Sequence, residues 1–443
     1  MCLNYISGAI ISALCLAGSA HAATFSAGAG KADIDIPASV LPLDGFSLVH
    51  DPLSARMLLM DDGQKRIALV VIDQTSMGDD LVTDMKAVVQ KATAIAPENI
   101  LICASHGFSS PHVFPTEHTP PEAREKTAAL KQAIETAVDR AARQALASLQ
   151  PAHTGFSEGV SRVAVSRDVP TPNGWWLGGN SAGFTDPTLG VLRIDGAKGQ
   201  PLAVLINLGV QSSVLDFSVD NNGNRVISSD LAGTATRAVE SHYSDGPVAM
   251  FLIGAAGDQS PVFQANRHVV NSDGSVTRTD VHDAGFTLLD LLGERLAQDT
   301  VTASTAIKAD NTPQLALIRR SVEVVSQPGQ PSGKPPSGPV STYHFQPADK
   351  VSVPVVLLRI GDTAIVGVRE ELSASTGAWI RQHSPFTHTL IVTMADGAAK
   401  YMPEAGAYDR ITYEARSSRY AKGSAETLAT AAVIMLKELK TIK

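Results

Sequence analysis

The chain has 443 residues, 44% of them hydrophobic and 18% charged, with a formal net charge of −8. This composition is typical of a soluble globular protein that is long enough to bury a large core. The acidic residues are scattered and no long run of Lys or Arg is present. This distribution of charge argues against nucleic acid and anionic membrane surfaces as partners.

The first residues predict an exported protein. Residues 6–16 are apolar and small, and Ala20, His21 and Ala22 match the A-x-A pattern of a signal-peptide cleavage site. We therefore predict a signal peptide over residues 1–22, a mature chain over residues 23–443, and a periplasmic or secreted location. The apolar stretch is too short for a permanent membrane span. Of the three cysteines only Cys103 follows the cleavage site, so we expect no internal disulfide bond.

The next part of the chain alternates strand and helix patterns. Residues 66–73 and 100–104 are apolar runs that predict buried strands, and the pattern of residues 80–94 between them predicts a helix. Together they form a βαβ pattern. A long helix and two more strands are predicted at 121–149, 189–194 and 202–208. The predicted fold class is therefore mixed α/β.

The second half contains two polar segments. Residues 266–283 predict an exposed hairpin or loop, and residues 327–340, rich in proline and glycine, predict a surface loop, with a domain linker as the alternative. Strands and a final helix are predicted after that segment, at 351–359, 362–368 and 424–440. Because the strand pattern resumes, we predict one large domain over residues 23–443.

Polar residues follow two of the buried strands. His106 comes directly after the strand at 100–104, and Ser260 follows an apolar run at 251–253. Because α/β proteins place chemistry at strand ends, the two segments predict one pocket. A glycine-rich segment with Trp175 and Trp176 predicts a loop at its entrance, or alternatively a packed pair of tryptophans.

Motifs along nearly the whole mature chain resemble those of the neutral ceramidases. Residues 27–34 (AGAGKADI) are similar to the family's A-G-x-G-x-A-D-I, and residues 53–63 match L-x-A-R-x-L-x-x-D-D-G. The resemblance implies the family's catalytic domain, without the C-terminal β-sandwich domain that usually follows it. It also implies a zinc amidohydrolase that cleaves the N-acyl bond of ceramide. Other lipid-like amides, acylated amino acids and related esters stay open as substrates.

The resemblance implies a zinc site that is altered. His106 resembles the first histidine of T-H-T-H-S-G-P, a zinc ligand, although it could also be a buried, hydrogen-bonded histidine. Phe108 replaces the second histidine of that motif, and Gln211 replaces another zinc histidine. An amide oxygen is a much poorer zinc ligand than imidazole, so we expect weaker metal binding unless His112 or His118 compensates.

Later motifs imply the rest of the site. Glu371 resembles the zinc-binding glutamate of V-G-x-P-G-E-L, with Glu370 as the register-shifted alternative. Tyr401 resembles the fourth zinc ligand, and Tyr413 resembles the tyrosine that contacts the scissile carbonyl. Arg167 resembles an arginine that faces the pocket, with a surface salt bridge as the alternative.

A G-D-x-S-P motif supplies the last candidates. Ser260 resembles its serine, either as a nucleophile or as a hydroxyl that positions substrate, and Asp258 either caps a turn or supports a ligand histidine. The resemblance thus implies that the metal-site positions are His106, Gln211, Glu371 and Tyr401. It implies that the catalytic residues are Ser260, Arg167 and Tyr413.

Three hypotheses follow from these residues. The first is a hydrolase of N-acyl amides or related esters at an altered zinc site, acting on a small-molecule or lipid-like substrate. The second is a metal-free hydrolase with Ser260 as nucleophile and His106 as base. The third is a catalytically silent binding protein, suggested by the two lost histidines.

Overall fold

The computed structural model describes residues 25–328 and 335–442. The predicted signal peptide lies outside these ranges, and so do residues 329–334 of the segment rich in proline and glycine. Export therefore stays a prediction. Among the described residues, no helix is both long and apolar enough to cross a membrane, and Cys103 is a buried free cysteine.

Strands and helices alternate along most of the described chain. The first twelve strands are β1 (Ser26–Asp33), β2 (Phe46–Val49), β3 (Ser54–Asp61), β4 (Arg66–Ile72), β5 (Ile100–Ala104), β6 (Gln150–Val160), β7 (Ala164–Thr171), β8 (Gly174–Asn180), β9 (Thr188–Gly196), β10 (Pro201–Leu208), β11 (Arg225–Ile227) and β12 (Val248–Ile253). The others are β13 (Gln259–Pro261), β14 (Asn266–Val270), β15 (Val276–Asp280), β16 (Leu315–Val325), β17 (Lys350–Ile360), β18 (Thr363–Val368), β19 (Glu371–Leu372), β20 (His388–Val392) and β21 (Tyr401–Met402). The helices are α1 (Asp79–Thr93), α2 (Arg124–Ala147), α3 (Asp230–His242), α4 (Ala284–Thr305), α5 (Ala374–His383), α6 (Ala405–Arg410), α7 (Tyr413–Ser417) and α8 (Ser424–Thr441).

Two sheets pack face to face, and helices cover both outer faces. The larger sheet has the strand order β12-β10-β9-β6-β1-β3-β4-β5, and the smaller has the order β16-β17-β18-β20. Because successive side chains on a strand point to opposite faces, each strand serves two layers. The apolar residues between the sheets include Leu58, Leu69, Leu205, Leu317 and Leu358. Helices α1 to α4 pack on the outer face of the larger sheet, and α5 and α8 pack on that of the smaller one.

Two glycines of β1 allow helix α2 to lie close to the strand. A Cβ atom at Gly28 would lie 2.1 Å from the carbonyl oxygen of Ala145, and one at Gly30 would lie 2.1 Å from that of Ala141. Any side chain there would displace the backbone of the helix. The A-G-x-G segment noted in the sequence is therefore a packing feature.

Most predicted strands and helices begin and end within three residues of the observed boundaries. The βαβ pattern is confirmed, because β4 and β5 pair in parallel with α1 between them. The polar segment after β13 is a hairpin of β14 and β15. The predicted loop around the tryptophans is wrong: it is strand β8, in which Trp176 pairs with Val169 of β7 and is buried.

Candidate functional site

Loops at strand ends, together with residues of β7, β8 and the β14–β15 hairpin, line a cavity of about 340 Å³. Phe108 follows β5 and Ser260 lies in β13, just after β12, and both line this cavity, as the strand-end argument predicted. The loop after β5 is tied to the loop after β10, because the backbone N–H of Phe108 donates to the carbonyl of Ser212 over 2.9 Å.

His106 is held through both ring nitrogens. Its Nδ1 lies 2.6 Å from the carbonyl oxygen of Thr75, and its Nε2 lies 3.3 Å from Oε2 of Glu371. Because a carbonyl can only accept, Nδ1 carries a proton and Nε2 faces the carboxylate. The backbone φ of His106 is +60°, a conformation that few residues other than glycine adopt. Backbone and side chain together fix the ring against Glu371.

Gln211 connects Glu371 to Arg167. Its Nε2 donates to Oε2 of Glu371 over 2.9 Å, and its Oε1 accepts from Nη1 of Arg167 over 2.8 Å. An arginine only donates and a carboxylate only accepts, so these partners fix the orientation of the amide. A chain of hydrogen bonds thus runs from Arg167 through Gln211 and Glu371 to His106.

Contacts decide between Glu371 and its neighbour. Glu370 is buried and accepts a hydrogen bond of 2.8 Å from the hydroxyl of Tyr420. Since Glu371 is the one that contacts His106, these contacts favour Glu371 over the register-shifted alternative.

The two loop histidines lie away from this chain of hydrogen bonds. His112 Nδ1 lies 2.6 Å from the carboxylate of Asp44, on the exposed surface. Within residues 25–328 and 335–442, no hydrogen bond or ion pair joins His112 or His118 to Gln211 or its partners. The compensation considered for His112 and His118 therefore has no support among these contacts.

Arg167 is a buried cation, so the surface salt bridge considered for it is wrong. Its Nε donates to Oε1 of Glu414 over 2.7 Å, and its Nη2 lies 2.6 Å from the same oxygen. Burial disfavours the charged guanidinium, but Tyr401, Glu414 and Glu371 outweigh that effect and raise the pKa of Arg167 well above its usual value. The site therefore contains a fixed positive charge.

Aromatic rings line the cavity next to this arginine. The ring centres of Tyr401 and Tyr413 are 6.0 Å apart, and that of Trp176 lies 5.7 Å from Tyr413. The guanidinium carbon of Arg167 lies 5.1 Å from the Tyr401 ring centre. Burial raises the pKa of both tyrosines, so their hydroxyls stay protonated at neutral pH and can donate hydrogen bonds.

Ser260 contributes a hydroxyl to the cavity. It lies opposite Val165 in the pairing of β13 with β7, and its side chain lines the cavity. Among the residues that the structure describes, no side chain hydrogen-bonds to its hydroxyl. His106 contacts Thr75 and Glu371 instead, so the nucleophile and base of the metal-free hypothesis are not paired.

Asp258 supports the site from behind. Its Oδ1 accepts from the backbone N–H of Ala374 at the start of α5 over 2.8 Å, and its carbonyl accepts from the N–H of Arg167 over 2.9 Å. The structural role considered for it is therefore the one its contacts show. Burial, with the nearby carboxylates of Glu404 and Glu414, raises the pKa of Asp258 to about 6.

We expect Asp258→Asn to stabilise the protein at neutral pH. The raised pKa means that between about pH 4 and pH 6 the native state holds a proton that the unfolded chain has released, so wild-type stability falls as the pH rises through that window. Asparagine keeps the oxygen that accepts from Ala374 and never ionises. The variant should exceed the wild type by about 2–3 kcal/mol at pH 7 and by about 1 kcal/mol at pH 4.5. Urea denaturation at both pH values measures this, and a constant difference would contradict it.

Two solved ceramidase structures share this architecture. The crystal structure of neutral ceramidase from Pseudomonas aeruginosa matches with a TM-score of 0.72 and 20% sequence identity, over 94% of this chain and 74% of that one. The chain has the neutral ceramidase fold. A structure described as ceramidase complexed with C2 matches with a TM-score of 0.71 and 19% identity, over 94% of this chain and 75% of that one. No protein-family model matches the sequence, and no curated protein is significantly similar to it.

The neutral ceramidase fold confirms the predicted fold class, a mixed α/β domain of that type. It also explains why residues named from separate motifs meet. Arg167, Gln211, Ser260, Tyr401 and Tyr413 line the cavity directly. Glu371 and His106 lie behind Gln211, joined to it by hydrogen bonds. The roles assigned to these residues stay predictions.

The donor atoms present do not suit the zinc ion that the neutral ceramidase resemblance implies. Of the four predicted ligands, only His106 and Glu371 are strong ones, and the described ranges contain no metal-binding group of three or more His, Cys, Asp and Glu. The amide oxygen of Gln211 is held by Arg167, and its NH₂ group, which cannot bind a metal, faces Glu371. The guanidinium also repels a second cation. Zinc binding stays an untested prediction, and the donor atoms of these residues argue against it.

Several cavity residues had no signal in the sequence. Asp216 lies at the cavity wall, where burial raises its pKa to about 6 although Arg278 and Arg225 oppose the shift. His268 and Arg278 reach the cavity from the β14–β15 hairpin. The polar composition of that hairpin predicted only exposure, because nothing local shows that it folds back beside Trp176.

Proposed function

We propose that the protein hydrolyses an N-acyl amide, or a related ester, of a small-molecule or lipid-like acylated substrate. The observation that carries this proposal is the cavity, where Arg167, two tyrosines and Ser260 line one space of about 340 Å³. Such hydrogen-bond donors are what a polarised carbonyl requires. The fold shared with neutral ceramidase supports the same class of reaction.

The substrate carbonyl would lie beside the guanidinium and the tyrosines. As water adds to the carbonyl carbon, negative charge develops on the carbonyl oxygen, and Arg167 with the protonated hydroxyl of Tyr413 stabilises it. Phe108, on another wall of the cavity, suits an acyl chain. Ser260 positions the substrate through its hydroxyl.

Asp216 is the carboxylate placed to move the proton. It lines the cavity, and a pKa of about 6 leaves it mostly ionised at neutral pH yet basic enough to accept a proton from water. The bond between the acyl carbon and the nitrogen then breaks, and the same proton passes to the departing nitrogen. The products are a fatty acid and an amine.

The test is hydrolysis by the purified protein. Lauric acid released from N-lauroyl glycine, a laurate ester and a short-chain ceramide would be quantified by mass spectrometry. Asp216→Asn is expected to lower kcat by about 100-fold, and Tyr413→Phe by about 10- to 100-fold. The matched control is Asp290→Asn, an exposed aspartate on α4, which should keep full activity. Release no faster than in buffer for every substrate would contradict the proposal.

A second candidate is a binding protein without turnover. It is favoured by Ser260, whose hydroxyl has no hydrogen-bonded base within the described part of the chain, and by Gln211, which stands where a zinc ligand is expected. In that case acylated ligands should quench the fluorescence of Trp176 and be recovered intact. Binding without release of lauric acid would support this candidate over the first.

A further inference from the structure

The β14–β15 hairpin brings a second arginine to the cavity. Arg278 stands opposite His268 in the hairpin register, and both line the cavity wall. The Nε of Arg278 donates to Oδ1 of Asn266 over 2.9 Å, and its guanidinium carbon lies 5.0 Å from the ring centre of Phe217. These contacts orient the guanidinium, and among the described residues its terminal nitrogens have no hydrogen-bond partner.

Arg278 differs from Arg167 in its partners. Arg167 is neutralised by Glu414, from which its Nη2 is 2.6 Å away. Within the described ranges, no carboxylate oxygen lies within 4.0 Å of the Arg278 guanidinium. A cation beside a cavity and without a paired carboxylate is suited to an anion brought by a ligand.

Two arginines lie beside Phe217 at this end of the cavity. The guanidinium carbon of Arg225 is 5.1 Å from the ring centre, and that of Arg278 is 5.0 Å from it. The charges of both arginines act on the carboxylate of Asp216, and that of Arg225 also acts on Asp44. Burial and the positive charges of Arg278 and Arg167 lower the pKa of His268 to about 4. The imidazole therefore stays neutral and can hydrogen-bond a ligand.

We infer that the hairpin end of the cavity binds a carboxylate of the substrate through Arg278, which makes the substrate an N-acyl amino acid. This inference rests on the proposed function. An uncharged ceramide would bring no anion to Arg278.

The aromatic rings connect the two ends of the cavity. Trp176 lies between Tyr413, at 5.7 Å, and His268, at 6.2 Å between ring centres. A ligand whose carbonyl lies at Tyr413 therefore passes Trp176 to reach the hairpin. Since the span sets the length of the amino acid, the test uses two lengths.

The experiment compares ligands that differ only in charge. N-lauroyl glycine and N-lauroyl γ-aminobutyrate would each be titrated against its uncharged primary amide by isothermal calorimetry. We expect the wild type to bind at least one acid about tenfold or more tightly than its amide. Arg278→Gln should abolish that preference and leave the affinity for the amide unchanged. The control is Arg267→Gln, an exposed arginine on the same hairpin, which should keep the preference.

Three results would overturn the inference: no preference at either length, a preference that survives in Arg278→Gln, or binding of none of the four ligands. The readout is separate from turnover. Equal cleavage of an acid and its amide would leave the hydrolase proposal standing and remove the carboxylate site. A preference without any cleavage would do the reverse.

Discussion

Replacing Gln211 with histidine is expected to create a zinc site, whereas we expect the wild-type protein to bind far less zinc. The Nε2 atoms of Gln211 and His106 lie 2.9 Å and 3.3 Å from the same oxygen of Glu371. Ligands of a tetrahedral zinc ion are separated by roughly 3.3 Å, so an imidazole at position 211 would complete three strong ligands, with Tyr401 as the fourth. Elemental analysis should find about one zinc per chain in Gln211→His and far less in the wild type.

The control is Gln211→Met, which removes the amide without adding a ligand. It should bind no more zinc than the wild type, which separates loss of the hydrogen bonds from gain of a ligand. Titration with a zinc-sensitive dye should show apparent affinity rising by several orders of magnitude in the histidine variant alone. A wild-type protein that copurifies with one zinc would refute the donor-set argument.

Removing the charge of Arg167 is expected to be the most destabilising change at the site. Glu414 is buried and pairs with that guanidinium. Burial and the Glu414 carboxylate raise the pKa of the neighbouring Asp168, an effect that Arg167 opposes. Arg167→Met should lower the free energy of unfolding by about 3–5 kcal/mol, because it leaves a buried carboxylate unpaired. Urea denaturation measures the loss.

A double-mutant cycle tests the cause of that loss. If the unpaired carboxylate is responsible, Arg167→Met combined with Glu414→Gln should recover much of the stability. Arg267→Met is the control, and its effect should stay within about 0.5 kcal/mol because Arg267 is exposed. Additive losses in the double variant would show that the two residues act independently.

The sequence predicts best the parts of the fold that are locally encoded. Strands β4 and β5 were predicted almost residue for residue, since a strand buried on both faces is a continuous apolar run. Strand β8 was missed because its glycines are typical of loops. Its strand conformation depends on pairing with β7, which no local pattern shows.

The sequence named residues that the structure brings together, but it did not show which of them contact one another. Family motifs point to Gln211 as a lost ligand, but not to Arg167 holding its oxygen, because the two residues are 44 positions apart. The pairing of Arg167 with Glu414, 247 positions apart, is equally invisible. Arg278 had no motif at all. Such contacts depend on the tertiary packing of distant segments.

The hydrogen bonds of the site cross from one sheet to the other. His106 and Gln211 follow strands of the larger sheet, whereas Glu371 follows β18 of the smaller one. If one sheet slid against the other by even an ångström, the carboxylate would separate from both partners. The hydrogen bonds of the site therefore depend on the relative alignment of the two sheets. Trimming an apolar side chain between them, such as Leu358, should loosen Glu371 without touching the cavity.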